Sequence, residues 1–309
     1  MKIVALVVTY NRKELLTECL YALLNQNHKI EEIVVIDNNS TDSTSDLFKD
    51  GAMFHLKSIT YRKMDKNIGG AGGFYEGIKY INENCDYNFL WLMDDDTIAN
   101  QDSLEKLLDA YDYLEQENPS FLASTVYGPE KEPMNVPGIS KRKHENGYGD
   151  WYRYLKYGII EIERATFVSL LISEKAIKKV GYPIKEYFIW GDDTEYTLRL
   201  VNDYGPAFFV GNSLILHKRY NAKSLSIITE ENPNRVKMYK YFYRNKLFNS
   251  RLYDSRKLII KNYINTIREA FRLLFRQNCK FKIKKFVSIQ KGIIDSLWSW
   301  SEIKKYANK

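Results

Sequence analysis

Short apolar runs alternate with helical patterns through the first third of the chain, and each apolar run ends in polar residues. These runs have the length and composition of buried β-strands. The predicted strands are Ile3–Thr9, 33–36, 55–62 and 87–93. The predicted helices between them are 12–25, 42–48 and a third that ends at Ile81. This alternation predicts a parallel, doubly wound sheet with helices on both faces.

The second half continues the pattern after a long interruption. Residues 128–157 contain several prolines and glycines and are predicted to form a loop, and long loops inside compact domains are often functional lids. The elements predicted after it are a strand at 166–173, helices at 174–180 and 195–203, and a strand at 208–216. From residue 235 onward the pattern is helical and basic. Ligands of open parallel sheets bind beyond the carboxyl ends of the strands, so the polar residues at those ends are the first candidates for a site.

The fourth predicted strand runs directly into Asp94, Asp95 and Asp96. Adjacent carboxylates repel one another unless a cation lies among them, and Mg²⁺ and Mn²⁺ prefer carboxylate and diphosphate oxygens. An extended backbone points Asp94 and Asp96 to one side and Asp95 to the other. We therefore expect Asp94 and Asp96 to bind a metal and Asp95 to face a nucleotide or sugar. The alternative is a solvated acidic turn, with Asp96 or Thr97 capping the next helix.

A second acidic pair, Asp192 and Asp193, follows Trp190 and opens a predicted helix. The helix dipole favours an acidic residue there, but it explains two adjacent ones less well. Either aspartate fits a general base, which must be ionised and lie near the hydroxyl that it deprotonates. Trp190 could stack on a sugar ring. His217 ends the last predicted strand; a lone histidine is usually structural, but at this position it could complete a carboxylate–metal site.

A glycine-rich turn, 67–73, precedes the third helix and has glycine at four of its last five positions. Glycines let a backbone approach a ligand closely, and they expose N–H groups at a helix start, where phosphates bind. The spacing matches neither the dinucleotide-binding pattern GxGxxG nor a phosphate-binding loop that ends in lysine. The alternative is a tight turn with close packing of the helix on the sheet.

Charge is unevenly distributed over the 309 residues. The net charge is +7, but residues 251–309 carry 15 Lys/Arg against 4 Asp/Glu, a net of +11 that leaves −4 for the rest. This asymmetry indicates an anionic partner for the C-terminal region alone. Apolar residues recur there at helical spacing among lysines and arginines. The region is therefore expected either to lie on an anionic lipid surface or to pack on the catalytic domain or on another subunit.

The cysteines and the lengths of the apolar runs indicate in which cellular compartment the protein is expected. Cys19, Cys85 and Cys279 form no CxxC pair and no disulfide framework, which fits a reducing cytosol. No apolar run reaches the roughly 18 residues of a membrane-spanning helix, and no small-residue cleavage site follows the first strand. We expect a cytoplasmic protein that neither is secreted nor spans a membrane. Peripheral attachment to the inner face of the cell membrane is compatible with this expectation.

Taken together, the motifs resemble those of family 2 glycosyltransferases with the GT-A fold. The matching segments follow the family's order across residues 1–220 and are 8–12 (VTYNR), 35–42 (VIDNNSTD), 67–70 (NIGG), 94–96 (DDD) and 192–193 (DD). The fuller strings NIGGAGGF and WGDDTEY, with His217 and 243–245, are similar to the galactofuranosyltransferase branch, which also contains rhamnosyltransferases. The resemblance implies a Rossmann-like, mostly parallel α/β sheet flanked by helices over 1–220, with a basic helical appendage over 221–309.

The resemblance also implies a role for each candidate residue. The nucleotide-sugar donor would contact Thr9, Tyr10, Arg12, Asp37, Asn39, Asn67, Gly69, Gly70 and Asp95, with Asp37 accepting a hydrogen bond from a uracil or thymine N–H. The metal, Mn²⁺ or Mg²⁺, would be held by Asp94, Asp96 and His217. Asp193 would be the catalytic base, while Asp192 and Trp190 would bind the acceptor. Adjacent carboxylates can exchange roles, so Asp192 remains the alternative base.

The implied reaction is inverting transfer of a sugar to a glycan or lipid-linked glycan in bacterial surface-polysaccharide synthesis. UDP-galactofuranose is the first donor by resemblance and dTDP-rhamnose the second. The pI of 9.0 raises a nucleic-acid binder as an alternative, but the basic residues avoid the glycine and carboxylate motifs, and three aspartates repel phosphates without a metal. A nucleotidyltransferase would need a glycine-rich loop bearing Arg or Lys after the first strand. We therefore expect no nucleic-acid partner, and we leave a homo-oligomer open.

Overall fold

The computed structural model describes residues 1–220 and 224–306, and its strands join in one 11-stranded sheet. The strands are β1 (Ile3–Thr9), β2 (Glu32–Asp37), β3 (Ile59–Lys63), β4 (Phe89–Asp94), β5 (Thr97–Ala99), β6 (Phe121–Tyr127), β7 (Pro133–Met134), β8 (Gly138–Ile139), β9 (Ile159–Arg164), β10 (Ser169–Ser173) and β11 (Ala207–His217). Their order across the sheet is β3-β2-β1-β4-β10-β6-β11-β9-β8, while β5 pairs with β11 and β7 with β6.

Parallel pairing brings the polar strand ends to one edge of the sheet. β3, β2, β1 and β4 are mutually parallel, and β6 and β11 run in the same direction on the far side of the antiparallel strand β10. The register places Thr9 opposite Asp37 and Val8 opposite Asp94. The predicted mostly parallel sheet is therefore confirmed, and the ends of β1, β2, β4 and β11 lie on one side.

Helices cover both faces of this sheet. They are α1 (Lys13–Leu24), α2 (Gly69–Asn84), α3 (Ser103–Leu114), α4 (Glu174–Val180), α5 (Asp192–Asp203), α6 (Pro233–Tyr253), α7 (Arg256–Phe275), α8 (Lys282–Trp298) and α9 (Trp300–Lys304). In β1, alternate side chains enter two different cores, since successive residues of a strand point to opposite faces. Ile3, Ala5 and Val7 pack with α1 and α3, and the residues between them pack with α2 and α4.

The C-terminal helices form a core of their own and also contact the sheet domain. Tyr243, Leu273 and Ile289, from three successive helices, are buried together. A Cβ at Gly292 would lie 2.7 Å from the carbonyl oxygen of Lys240, so the close crossing of α6 and α8 requires glycine there. No helix among the described residues combines the length and the apolar character that crossing a bilayer requires. The predicted domain boundary at 220/221 remains a prediction.

Several predicted elements differ from the structure. The predicted helix at 42–48 is a short 3₁₀ helix, Thr44–Phe48, because Ser43 has a left-handed backbone (φ 62°) that interrupts any longer helix. The third strand begins at Ile59 rather than 55, since its pairing with β2 starts at Ile33. The predicted loop 128–157 contains the two short strands β7 and β8 and two 3₁₀ turns. Elements α3, β6 and β9 were not predicted.

Two glycines of α2, one in its first turn and one in its middle, test how tightly this helix packs on the sheet. A Cβ at Gly77 would lie 2.5 Å from Leu6 Cδ1, whereas a Cβ at Gly70 would meet no atom within 4 Å. We expect Gly77→Ala to lower the free energy of unfolding by about 1–3 kcal/mol, because overpacking displaces buried side chains. The same substitution at Gly70 should not destabilise. Urea unfolding of the two variants measures the difference, and equal stabilities would contradict the packing described.

Candidate active site

A cleft of about 570 Å³ opens at the carboxyl ends of the central strands. It collects residues from β4, from the turn after it, from the start of α5 and from the end of β11. The predicted site residues in its wall are Arg12, Gly70, Asp94, Asp95, Asp96, Trp190, Asp192, Asp193 and His217. Thus the two acidic clusters and the histidine, which are far apart in sequence, line one cavity.

The pairing of β5 with β11 brings His217 to the aspartates. Thr97 follows the three aspartates and lies opposite His217 in the antiparallel register. The turn is closed by Thr97 Oγ1, which donates to the Asp94 carbonyl oxygen at 2.6 Å. His217 Nε2 consequently lies 3.0 Å from Asp96 Oδ1. One ligand atom each of Asp94, Asp96 and His217 falls within 4.8 Å of the others, which is compatible with one shared cation.

The hydrogen bonds around His217 test whether these residues fit a metal. Asn135 Nδ2 donates to Thr166 Oγ1, so Asn135 Oδ1, 2.8 Å from His217 Nδ1, accepts the proton of that ring nitrogen. In the neutral ring Nε2 then presents a lone pair to Asp96 Oδ1. That oxygen is buried and has no hydrogen-bond donor among the described residues. Two facing acceptors with two carboxylates nearby fit a hard divalent cation such as Mn²⁺ or Mg²⁺.

Asp95 points away from this group, as the alternation predicts. Its Oδ2 accepts a hydrogen bond from Thr9 Oγ1 at 2.8 Å, and its Oδ1 lies 3.0 Å from Arg12 Nη1. The same Arg12 nitrogen donates to Asp96 Oδ2 at 2.6 Å. Arg12 therefore links two of the three aspartates at the head of the cleft. Its predicted contact with a nucleotide remains a prediction.

The carboxylates differ in their protonation. Burial raises the pKa of Asp95 to about 6, although Arg12 opposes the shift. Burial also acts on Asp96, but when the His217 ring is protonated its hydrogen bond and charge, together with the charge of Arg12, hold the pKa of Asp96 below the usual value. Desolvation and the charges of Asp96 and Asp95 raise the pKa of Asp94 well above its usual value. A cation bound among the three aspartates would favour their ionised forms.

The second acidic pair begins α5, directly after a strained segment. Phe188, Trp190 and Gly191 have φ angles of 65°, 63° and 90°, and left-handed backbone is costly for the first two. Asp192 and Asp193 follow and line the cleft. Burial, reinforced by the charge of Asp193, raises the pKa of Asp192 to about 7. Burial also raises the pKa of Asp193, and a pKa moved toward neutrality suits a general base.

Helix α6 holds the strained segment in place. Asn245 is fully buried, and its Nδ2 donates to the carbonyl oxygens of Tyr187, Ile189 and Trp190 at 2.9, 3.0 and 2.7 Å. Arg244 Nη2 donates to two carbonyls of the same segment, and Asn249 Nδ2 donates to the Gly191 carbonyl at 3.1 Å.

We call this set of three α6 side chains the α6 clamp. The sequence pattern predicted no role for these residues, since their partners are backbone carbonyls more than 50 positions away.

The glycine-rich turn meets the strained segment from the other side. Gly69 has φ 77°, and a Cβ there would lie 2.1 Å from the Phe188 carbonyl oxygen, so glycine is required. The Ala71 N–H donates to the same oxygen at 3.1 Å. Gly70 instead borders the cleft, where a ligand can approach its backbone. The packing interpretation therefore applies at Gly69, while ligand binding at Gly70 remains a prediction.

The remaining predicted donor residues lie beside the cleft rather than in its wall. Asp37 is buried and accepts hydrogen bonds from the Ser40 N–H and the Tyr61 hydroxyl. Asn67 Oδ1 accepts from the Gly69 N–H at 2.8 Å and shapes the start of α2. Asn39 Nδ2 donates to the Asp65 carbonyl oxygen, and Tyr10 is exposed. Their contacts with a donor remain predictions.

Trp190 lies in the cleft wall and is supported from α6. Its ring packs on Tyr239 with centroids 5.2 Å apart, and the Arg235 guanidinium lies 5.6 Å from its centroid. Arg235 and Arg219 also line the cleft. With Arg12 they provide three arginines in a wall that contains five aspartates, so carboxyl groups outnumber guanidinium groups there.

Comparison with known proteins agrees with this geometry. The model of the family described as "Glycosyl transferase family 2" matches residues 4–164. The galactofuranosyltransferase GlfT1 of Mycolicibacterium smegmatis is 27% identical over 212 residues, which are 65% of this chain and 66% of that protein. The match thus spans just under two thirds of the relative's length.

Two solved structures show the same fold. S. aureus TarS in complex with UDP-GlcNAc superposes with a TM-score of 0.59 at 15% identity, covering 96% of this chain and 81% of TarS. The mannosyltransferase PcManGT of Pyrobaculum calidifontis, in complex with GDP-Man and Mn²⁺, gives a TM-score of 0.54 at 12% identity, covering 96% and 87%. The sheet and its flanking helices are therefore those of the GT-A fold.

The orientation of His217 by Asn135 yields a prediction for metal affinity. Asn135→Leu removes the acceptor that fixes the His217 ring and should weaken Mn²⁺ binding about 10–100-fold. Calorimetric titration with MnCl₂ measures this change, with the exposed Asn146→Ala variant, from the same loop, as control. An affinity equal to that of the control would contradict the role of Asn135 in orienting the His217 ring for a metal.

The α6 clamp yields a prediction for stability. Asn245→Ala removes the side-chain donor of the Ile189 and Trp190 carbonyls, whereas the Tyr187 carbonyl keeps Arg244. The variant should lower the free energy of unfolding by about 1–3 kcal/mol, the cost of unsatisfied buried groups. Asn234→Ala, at an exposed position of the same helix, should have no such effect. Denaturant unfolding compares the two variants. Unchanged stability of Asn245→Ala would contradict the clamp.

Proposed function

The chain belongs to glycosyl transferase family 2, and we propose that it is a metal-dependent inverting transferase that moves galactofuranose from UDP-galactofuranose to a glycan or lipid-linked acceptor. The observation that carries the proposal is one cleft with two opposed parts. A carboxylate–imidazole group with an unpartnered buried oxygen lies at the ends of β4 and β11, and a buried carboxylate pair lies at the start of α5.

The first part of the cleft suits the diphosphate of a nucleotide sugar. Asp94, Asp96 and His217 would hold Mn²⁺ or Mg²⁺, and TarS and PcManGT, which share the fold, are complexed with nucleotide sugars. When bound, the cation would stabilise negative charge that develops on the departing diphosphate. Arg12 orients Asp95 and Asp96 through its hydrogen bonds, so the carboxylates are positioned before a ligand arrives.

The second part suits the acceptor. Asp193 would accept the proton of the acceptor hydroxyl as that oxygen attacks the anomeric carbon, while the sugar–diphosphate bond breaks on the opposite face, which inverts the configuration. Its charge contributes to raising the pKa of Asp94, and this proximity supports a single donor bound between the two parts. Trp190 offers a ring face for sugar stacking, and Asp192 would bind an acceptor hydroxyl. The α6 clamp keeps both aspartates aimed at the cleft.

The choice of donor, acceptor and setting rests on the relatives. GlfT1 is named a galactofuranosyltransferase, which supports UDP-galactofuranose for this chain. Assembly of a bacterial surface polysaccharide on a lipid-linked acceptor fits that donor, and such an acceptor would place the enzyme at the cytoplasmic face of the membrane. The basic C-terminal helices would provide the contact with anionic lipid.

Replacing Asp193, the proposed base, tests whether this residue acts in the chemical step or in nucleotide binding. Asp193→Asn keeps the shape of the side chain but removes its basicity, and it should lower kcat about 10²–10⁴-fold. UDP binding in the presence of Mn²⁺ should stay unchanged. A radiolabelled transfer assay and calorimetry measure the two properties.

The adjacent aspartate is the matched control for this test. Asp192→Asn should raise KM for the acceptor more than it lowers kcat. If Asp192→Asn abolishes turnover while Asp193→Asn retains it, the roles of the two residues are reversed. If Asp193→Asn loses nucleotide binding as well, Asp193 is a structural residue or a metal ligand.

A further inference from the structure

We propose that helix α7 carries a binding site for the phosphate of an anionic lipid, separate from the catalytic cleft. The site is a cavity of about 410 Å³ between α7 and the segment before α6. Its wall consists of Ile228, Asn265, Arg268, Glu269, Arg272, Leu273 and Arg276. The proposal deepens the membrane contact suggested above, and its test does not depend on glycosyl transfer.

The charge of the cavity is unbalanced. Arg268, Arg272 and Arg276 are four residues apart, so they lie along one face of the helix, where like charges repel. All three are exposed, and within residues 1–220 and 224–306 none of them forms an ion pair. Glu269 is the single carboxylate in the wall and accepts a hydrogen bond from the Tyr243 hydroxyl at 2.6 Å. Three guanidinium groups against one carboxylate fit a phosphate group.

The same helix presents an apolar row next to these arginines. The row consists of Ile260, Ile264, Ile267, Phe271 and Phe275, which are spaced three or four residues apart. Their side chains are exposed, Phe271 by 50% and Phe275 by 84%. Because each residue advances about 100° around a helix, the arginine row lies beside the apolar row. We call the two together the α7 face.

Helix α8 extends this surface. Phe271 packs edge-on against Phe286 of α8 at 5.6 Å, and α8 itself exposes Ile283 by 75% and Trp298 by 81%. Exposed apolar residues that continue across two helices are unusual for a surface in water and mark an interaction site. The arginine side chains beside these apolar residues favour a lipid over a purely apolar protein partner. A phospholipid carries a phosphate group next to its hydrocarbon chains and can contact both rows.

The test uses short-chain phosphatidic acid below its micelle concentration, so that no membrane surface potential contributes. The full chain should bind it with one-to-one stoichiometry in calorimetry. Arg268→Ala/Arg272→Ala should weaken binding about 30-fold, because each exposed guanidinium–phosphate ion pair contributes roughly 1 kcal/mol. The matched control, Lys257→Ala/Lys261→Ala, removes the same charge from exposed positions of the same helix outside the cavity, and should change binding less than about twofold.

Each other outcome overturns a stated part of the proposal. Equal weakening in the two double variants would show diffuse electrostatics rather than a built site, and absence of binding would exclude the site. If inorganic phosphate binds as tightly as the lipid and Phe271→Ser/Phe275→Ser has no effect on lipid binding, the ligand is free phosphate. Mn²⁺-dependent UDP binding, measured in every variant, should be unchanged, which separates failure of this site from failure of the proposed transferase.

Discussion

Buried negative charge is the constraint on which the cleft depends. Asp94, Asp95 and Asp96 follow one another at the carboxyl end of β4, a central strand of the sheet, and line the cleft. Arg12 neutralises part of this charge, and His217 meets Asp96 Oδ1 with a lone pair rather than a proton. Such an arrangement is costly without a cation, and this cost is the physical basis of the metal site proposed there.

The C-terminal helices contribute directly to the catalytic region. The segment 186–191 adopts left-handed backbone at two non-glycine residues, and this strain persists because Asn245 and Gly69 hold it from opposite sides. The clamp belongs to α6, whose other face packs on α7 and α8. Helix α6 therefore lies between the α7 face that we propose binds lipid and the start of α5, where the proposed base lies.

Most of the site could be predicted because its residues lie at strand ends. Asp94, Asp96 and His217 follow apolar runs, and parallel pairing brings such ends together whatever their separation in sequence. Asn135 could not be predicted, since it lies in a proline-rich loop and acts only through its contact with His217. The role of Asn245 could not be predicted either, because its partners are backbone carbonyls more than 50 positions away. Strand β6 escaped prediction because alanine, serine and threonine interrupt its apolar pattern.

The central claim is that the aspartates and His217 bind a divalent cation that in turn binds the donor diphosphate. Calorimetric titration of the purified chain with UDP, with Mn²⁺ present and then with the metal removed by EDTA, tests it most directly. The account predicts that UDP binds to one site when Mn²⁺ is present and that this binding is lost after chelation. Equal affinity in the two titrations, or no UDP binding in either, would contradict it.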